Sequence, residues 1–449
     1  MHNPWLILIA GVVGALATMP GQTAGVSPFT DLLIEALQVS RANLSLAYLI
    51  GTVASAMTMP FAGGLYDRYG SRATSLGAGF ALGLSLLAIS FVDAITTSLA
   101  AIVPLISRAI IATAVMACGF YLIRFFGQGF LSMSSRNMVM KWFDSRRGIA
   151  TAILAPCTAL GAAYAPRVFD AMIATWGWRG AWRISALVLM TLFCLFAWIV
   201  FADPSRQERR TARDSAPFRL PLPKHLRRAL SRRAEVEPAR PAQDFNIEQA
   251  RKTLVFWLFN MANGFSSLVG TGFTFHVVSI FAYGGMTRST ALAVFFPATT
   301  IAVVLQFFGS MVSDYVRLKY FAALQMLGVI ILMVSLMVLR PGIPYALLVV
   351  GLAINSGMSH INAIIAWPRF FGLKHLGRIS GFAFVWLVAG SAIGPYAYSL
   401  SEQFAGSYVP AAVGFAAIAA GLFVLSFFAE NPNRVNPGGA GPVPPRSTS

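Results

Sequence analysis

About a dozen apolar runs, each on the order of 20 residues, divide this sequence, and a run of that length is what a helix needs to cross the hydrocarbon of a bilayer. Of the 449 residues 57% are hydrophobic and 11% charged, where a soluble domain carries about 25% charged residues. So little polar surface excludes a soluble enzyme, a disordered chain and a coiled coil. The expectation is an all-α polytopic membrane protein with twelve transmembrane helices. The spans lie near 5–27, 42–62, 73–93, 114–137, 149–171, 181–202, 254–282, 289–312, 319–339, 344–367, 380–400 and 408–429. The first span lacks the Lys/Arg n-region of a secretory signal and is expected to be retained.

Charge fixes the orientation. If both termini are cytoplasmic, all but eight of the 34 Lys and Arg fall in cytoplasmic connections. Seven of the eight, Arg41, Arg108, Arg167, Arg179, Arg183, Arg288 and Arg340, lie at or near the outer side, and Arg124 lies within the fourth span. This satisfies the positive-inside rule. A thirteenth crossing over 98–113 would invert the later loops, so that segment is expected to be an outer interfacial or re-entrant piece, or a long start to the fourth span. Residues 203–252 separate six spans from six. The expected organisation is an N-terminal bundle over 1–202, a basic cytoplasmic linker over 203–252, a C-terminal bundle over 253–430, and a disordered Pro/Gly/Ser-rich tail over 431–449. The net charge of +18, with its linker run Arg206 to Arg233, points to anionic lipid headgroups and not to nucleic acid. Cys118, Cys157 and Cys194 sit in apolar runs with no metal spacing and are expected to be buried.

Between spans 2 and 3 stands Gly63-Gly64-Leu65-Tyr66-Asp67-Arg68-Tyr69-Gly70-Ser71-Arg72. Gly63 would let two helices approach closely, and Gly70 would permit a positive φ. Asp67 can face a helix N-terminus, while Arg68 and Arg72 hold the loop on the cytoplasmic side. The stretch resembles the loop 2–3 signature of the major facilitator superfamily. Arg124-Phe125-Phe126-Gly127-Gln128-Gly129 is similar to that superfamily's helix 4 motif, and Trp176-Gly177-Trp178-Arg179 to its outer turn before helix 6. The second half repeats the first. Asp314 and Arg317 echo the loop signature, with Arg317 where the turn glycine is expected, and Trp142-Phe143 with Arg146-Arg147-Gly148 is echoed by Arg369-Phe370-Phe371-Gly372 with Arg378 and Gly381. The resemblance implies two pseudo-symmetric six-helix bundles that rock about a central site. Lys141 to Gly148, Phe275-His276 and Phe370 to Gly381 resemble the monocarboxylate and oxalate/formate type within the superfamily. The chain departs from that type at Gln306, where an arginine is typical, and at Leu387, where oxalate-type members carry a lysine.

An ionisable residue at bilayer depth costs at least ~2.5–3.5 kcal/mol unless it faces a cavity or a partner. All sixteen acidic residues fall in loops or at span ends, so the groups at depth are Arg124, His276 and His360. A cavity with a fixed cation and no carboxylate favours an anion, which an arginine can hold through two parallel hydrogen bonds. Arg124 is therefore the leading substrate contact and His276 the candidate proton acceptor. Around them the candidate lining is Gln22, Tyr121, Gln128, Asn263, Asn355, His360 and Trp386, with Tyr164 and Tyr396 as further aromatics. Glycine-interrupted spans 1 and 7 occupy equivalent places in the repeats and point to the central site. Pro156, Pro166 and Pro395 are placed to bend spans 5 and 11. The expected function is secondary transport of a small organic anion by proton symport or anion exchange, in a monomer with no cofactor, in a bacterial inner membrane. The alternatives are a carrier-like sensor without net transport and a carrier of a neutral or drug-like solute. No paired acids, H-E-x-x-H helix or Walker P-loop supports an enzyme or an ATP-driven pump.

Overall fold

A computed structural model of the chain describes residues 4–143, 147–204, 244–313, 316–372 and 375–432. The linker run Arg206 to Arg233, Asp144 to Arg146, Asp314 and residues 433–449 lie outside the described residues, as do the side chains of Asp67 and Arg147. Among the described residues all regular structure is helical. Eleven helices are long and apolar enough to cross a membrane, and one of them, Ile153–Val200, is 48 residues long. It turns back at Gly177, whose φ of 68° and ψ of 168° are closed to residues with a Cβ. Two crossings therefore share that helix, and the described residues make twelve crossings.

In chain order, crossing 1 begins at Pro4–Leu16 and ends at Thr30–Leu37, with an irregular stretch between. Crossings 2 and 3 share Arg41–Ile89 and part at Gly70. Crossing 4 runs through Arg108–Ile123, a π-helical segment Arg124–Leu131, and Ser132–Trp142. Crossings 5 and 6 share Arg147–Val188, and crossing 6 ends at Cys194–Val200. The second half supplies Leu254–Tyr283, Phe295–Ser313, Leu318–Met337, Ile343–Phe371, Leu376–Ala405 and Val409–Ser426 as crossings 7 to 12. Local chemistry sets several starts. The Ser40 hydroxyl accepts from the Asn43 N–H and the Ser107 hydroxyl from the Ile110 N–H, which satisfies otherwise orphaned donors at a helix N-terminus.

Two expectations change here. Crossing 1 extends ten residues past the expected Val26–Ser27 end, to Leu37. Cys118 and Cys157 are exposed and Cys194 is half-buried, because a thiol facing hydrocarbon needs no protein cover. The segment over 98–113 resolves into the end of an 11-residue helix, Val92–Ile102, a turn with Leu105 fully outward, and the start of crossing 4. Eleven residues reach about 16 Å, too short to span.

Buried apolar side chains form two clusters, one drawn from Ile7 to Phe201 and one from Ala250 to Ala429. Two residues cross over. Phe275 of crossing 7 belongs to the first cluster and Ala163 of crossing 5 to the second. They mark where the halves touch. Contacts between the halves gather at the end away from Gly70. Arg288 donates to Asp170 at 2.6 Å and also to the Pro28 carbonyl, Thr30 Oγ1 donates to the Phe275 carbonyl at 3.4 Å, and Tyr164 meets Phe296 with ring centroids 6.2 Å apart. Toward the Gly70 end, burial falls away. In crossing 11 most of residues 390–399 are buried, and most of 378–389 are not. The halves thus enclose a crevice sealed at one end.

Candidate functional site

At the closed part of this crevice lies a cavity of about 290 Å³ lined by Gln22, Thr23 and Ala24 of crossing 1, Ala162 of crossing 5, Gly270, Thr271 and Thr274 of crossing 7, Phe295, Ala298 and Thr299 of crossing 8, and Leu352 and Ser356 of crossing 10. Both halves contribute, and no lining residue carries a formal charge. A break in crossing 1 brings its residues there. Helix stops after Leu16, and Gln22 is extended (φ −87°, ψ 153°) before a short turn over Thr23–Val26. Opposite this break crossing 4 is π-helical, a widened geometry that is common at functional sites. The two irregular backbones touch. A Cβ on Gly127 would lie 3.1 Å from the Gly21 Cα, and one on Gly21 would be pressed into the π segment's backbone.

Arg124 opens that π segment and is 4% exposed. Its Nη1 donates to Thr23 Oγ1 at 3.1 Å, and its guanidinium lies 4.9 Å from the centre of the Tyr48 ring. The Tyr48 hydroxyl and Thr23 Oγ1 are 2.6 Å apart. Nε has no partner, and Arg124 forms no ion pair with a carboxylate among the described residues. Gln128, one turn on, buries Oε1 without a partner. Tyr48 is fully buried and packs on Phe275 of the other half with centroids 4.8 Å apart. The buried cation is thus one side chain from the cavity through Thr23, and one from the seal through Tyr48.

The candidate residues fall into separate groups. Gln22 lines the cavity. His360 is exposed one turn from the cavity residue Ser356 on the same helical face, with Nδ1 2.9 Å from the Ser356 carbonyl oxygen. Gln306 lies two turns from Thr299 in crossing 8 and is half-buried. Tyr121 stacks on Phe125, centroids 5.8 Å apart, within the first half. Trp386 packs on Trp257 at the contact of crossings 7 and 11. Neither borders the cavity. Asn263 and Asn355 are buried in a neutral network whose hub, Gln325 of crossing 9, sequence reading did not single out. Gln325 Nε2 donates to Ser266 Oγ at 2.6 Å and to Asn263 Oδ1 at 3.3 Å, Ser266 Oγ donates to Asn355 Oδ1 at 2.7 Å, and Asn362 Nδ2 donates to Gln325 Oε1 at 2.7 Å. A glutamine inside an apolar span was the available signal. Crossing 7 runs unbroken from Leu254 to Tyr283, so the interruption expected there is found in crossing 1 alone. Helix-compatible small residues in crossing 7 serve packing instead: a Cβ on Gly264 would meet the Trp386 carbonyl at 3.0 Å.

His276 is fully buried away from the cavity, in the seal. Its Nε2 is 2.8 Å from the Pro395 carbonyl oxygen and 3.5 Å from Ser45 Oγ of the first half, and Nδ1 has no partner.

At the Gly70 end a second constellation ties the loop to its own half. Gly70 has φ 74° and ψ −179°, a region essentially limited to glycine, and Asp203 Oδ2 occupies the place a Cβ would take. Asp203 accepts from the Ser71 N–H at 2.6 Å, the Ser71 hydroxyl at 2.8 Å and Lys141 Nζ at 2.9 Å. Burial pushes this carboxyl up, but the Ser71 N–H, Lys141 and the Ser71 hydroxyl outweigh it and hold it below the usual carboxylate range. Arg72 Nε donates to the Phe201 carbonyl at 2.7 Å, capping the end of crossing 6. Arg68 lies against the Tyr69 ring. Gly63 does not mark a close approach, since a Cβ there would meet nothing within 4 Å. In the second half Lys319 stands in the place of Arg72. It donates to the Phe427 carbonyl at 2.9 Å and pairs with Glu430 at 2.6 Å. Arg317, at the place of Gly70, is extended (φ −62°, ψ 131°).

The sequence of this twin-halved chain matches a known family, the Major Facilitator Superfamily, over residues 6–395. The chain belongs to the major facilitator superfamily. No curated protein matches its sequence. Solved structures with the same fold include a bacterial homologue of the human lysosomal transporter Spinster in an inward-facing and occupied conformation. It has a TM-score of 0.66 and 14% identity, with 97% of this chain and 100% of that one covered. A D-xylose–proton symporter also has a TM-score of 0.66, at 12% identity, with 95% and 98% covered. As a major facilitator protein the chain is a multi-pass membrane transporter and not an enzyme.

Proposed function

We propose that this major facilitator protein carries a small organic anion, most simply a carboxylate, by rocking of the halves 1–202 and 253–430 about the cavity. The observation that carries this reading is Arg124, a buried guanidinium beside the cavity with no carboxylate partner among the described residues. Removing a charge from water without a partner costs several kcal/mol, on the order of the whole stability margin of many folds. An anionic cargo offsets that cost only while bound, which is the differential a carrier needs. The sequence likeness to monocarboxylate and oxalate/formate carriers supports a carboxylate. Gln306 and Leu387 remove two cations of that type and leave Arg124 to hold a single negative charge.

In the proposed cycle the cargo enters from the open, Gly70 end. Its carboxylate takes guanidinium N–H groups now directed at Thr23 or left free. Thr23 and Tyr48 are hydrogen-bonded partners, and Tyr48 supports Phe275 across the seal, so cargo binding alters the contact that holds the far end shut. The positive-inside distribution of Lys and Arg supports an orientation with the open end and both termini cytoplasmic, and the proposed location is a bacterial inner membrane. No carboxylate is available at depth among the described residues, so coupling falls to exchange of anions or to a proton carried with the cargo or on His276. The loop 63–72, with Asp67, Arg68, Gly70 and Arg72, and its second copy at Asp314 and Arg317 are the proposed conformational latches. The protein is proposed to work as a monomer.

The test is uptake by the purified protein in liposomes, with labelled organic anions, cations and neutral solutes of similar size. Saturable uptake of an anion, not matched by neutral or cationic analogues, supports the reading. Preference for a cation, or equal uptake of the neutral analogue, overturns it.

A further inference from the structure

Resting on that anion reading, we infer that the cargo is a small polyhydroxylated organic acid, of the size of a five- or six-carbon sugar acid, and not an alkyl carboxylate. The cavity is small, about 290 Å³, at the lower end of ligand cavities (~300–1,000 Å³). Its polar lining is Gln22, Thr23, Thr271, Thr274, Thr299 and Ser356, far more hydrogen-bonding capacity than one carboxylate uses.

The direction of the existing bonds sharpens this. A hydroxyl has one proton and two lone pairs. Thr274 spends its proton on the Gly270 carbonyl at 2.8 Å, and Thr271 spends its own on Ser391 Oγ at 3.1 Å. Gln22 directs Nε2 to Thr18 Oγ1 at 3.2 Å. Gln22 keeps one Nε2 N–H as well as Oε1, but what the two threonines retain for a cargo are acceptor lone pairs. A carboxylate is itself acceptor-only and cannot satisfy them. Hydroxyl groups on the cargo can. The charge is met at Arg124, on the crossing 4 side of Thr23, while the acceptors stand on crossings 1 and 7. A chain with an acid at one end and hydroxyls along its length matches that spacing of functions.

The remaining lining also fits. Phe295, Ala298, Leu352 and Ala162 supply apolar surface for the C–H faces of such a chain. Gly270 leaves open space where a Cβ would stand, so the acceptor face is unobstructed.

The experiment compares three probes in competition for the purified protein in liposomes: gluconate, hexanoate of equal chain length without hydroxyls, and sorbitol with hydroxyls and no charge. Gluconate is expected to bind at least ~100-fold more tightly than hexanoate, since each unmet hydrogen bond is worth roughly tenfold. The double variant Thr271→Val with Thr274→Val, isosteric and without the acceptors, should weaken gluconate by at least ~10-fold and leave hexanoate unchanged. Gluconate no tighter than hexanoate, including no measurable binding of either, overturns this inference. Hexanoate binding in that case leaves the anion reading standing. Sorbitol as tight as gluconate defeats the anion reading itself.

Discussion

The two halves solve the problem of polar groups in hydrocarbon in opposite ways. The second half buries Asn263, Ser266, Gln325, Asn355 and Asn362 and lets them bond one another. These groups are neutral and come from three crossings, and of their side-chain atoms only Asn362 Oδ1 is buried without a partner. The first half buries one full charge, Arg124, and gives it a threonine and an aromatic face. The network of the second half is neutral and nearly self-satisfied. The other half is electrostatically incomplete and therefore responsive to what enters.

The sharpest way to break that contrast is Arg124→Gln. Loss of two charge-assisted hydrogen bonds, each worth ~1.5–3 kcal/mol, should reduce anion uptake by at least ~100-fold. Thermal stability should hold or rise, because a buried unpaired charge is replaced by a neutral group. Unfolding of the variant would show instead that Arg124 is structural. Gln325→Leu tests the other half with the opposite signature. It strands Asn362 Nδ2 and removes one bond each from Ser266 and Asn263, which keep Asn355 and Ser359 as partners, and a stranded buried polar group costs ~1–3 kcal/mol. Thermal stability should fall clearly, while uptake per folded molecule changes less than for Arg124→Gln. Stability equal to the parent protein would mean that water or rearrangement satisfies the network.

Much of the fold could be read from the sequence, because the length of an apolar run and the side on which Lys and Arg lie are local quantities. The backbone demand at Gly70 was legible for the same reason. Asp203 was not, because it reaches Gly70 across 133 positions of chain and sits beyond the last apolar residue of crossing 6, where any loop acid might stand. Arg124 stood out as a cation in an apolar run, but its neighbours Thr23 and Tyr48 are ordinary residues of their own helices. Only the break at Gln22 and the π turn opposite bring them together, and neither irregularity has a composition of its own. His276 read as a cavity group because its helix is rich in small polar residues. Periodicity says which residues share a face, and it leaves open whether that face meets the cavity or the seal.

The loops carry the contrast between halves to a finer scale. Gly70→Ala forces a Cβ into a backbone region that costs ~1–3 kcal/mol and against the Asp203 carboxylate, so thermal stability should drop. Arg317→Gly, at the equivalent turn, should change it by no more than ~0.5–1 kcal/mol, the ordinary entropic cost of glycine, since Arg317 is already extended. The degenerate copy of the signature is then a consequence of a different turn and not a decayed glycine. If both substitutions cost the same, the two turns are used alike and this explanation fails.

The smallest expected effect is also the one with a definite sign in pH. Asp203 is held below the ordinary carboxylate range in the folded protein. Its contribution is therefore fully present above the unfolded carboxyl pKa of about 3.9 and is lost as pH falls through the lower folded value. Asp203→Asn should be slightly less stable than the parent at pH 7, by an amount that shrinks as pH is lowered through the acid range. Lys319 and Glu430 provide the comparison in the other half, where the carboxylate pairs with Lys319 at 2.6 Å. Glu430→Gln should show a weaker effect at pH 7, since a half-exposed ion pair is worth ~0–1 kcal/mol. Equal effects would mean that the Ser71 N–H contributes nothing to the hold on Asp203, and that the two halves differ at this end only in their choice of cation.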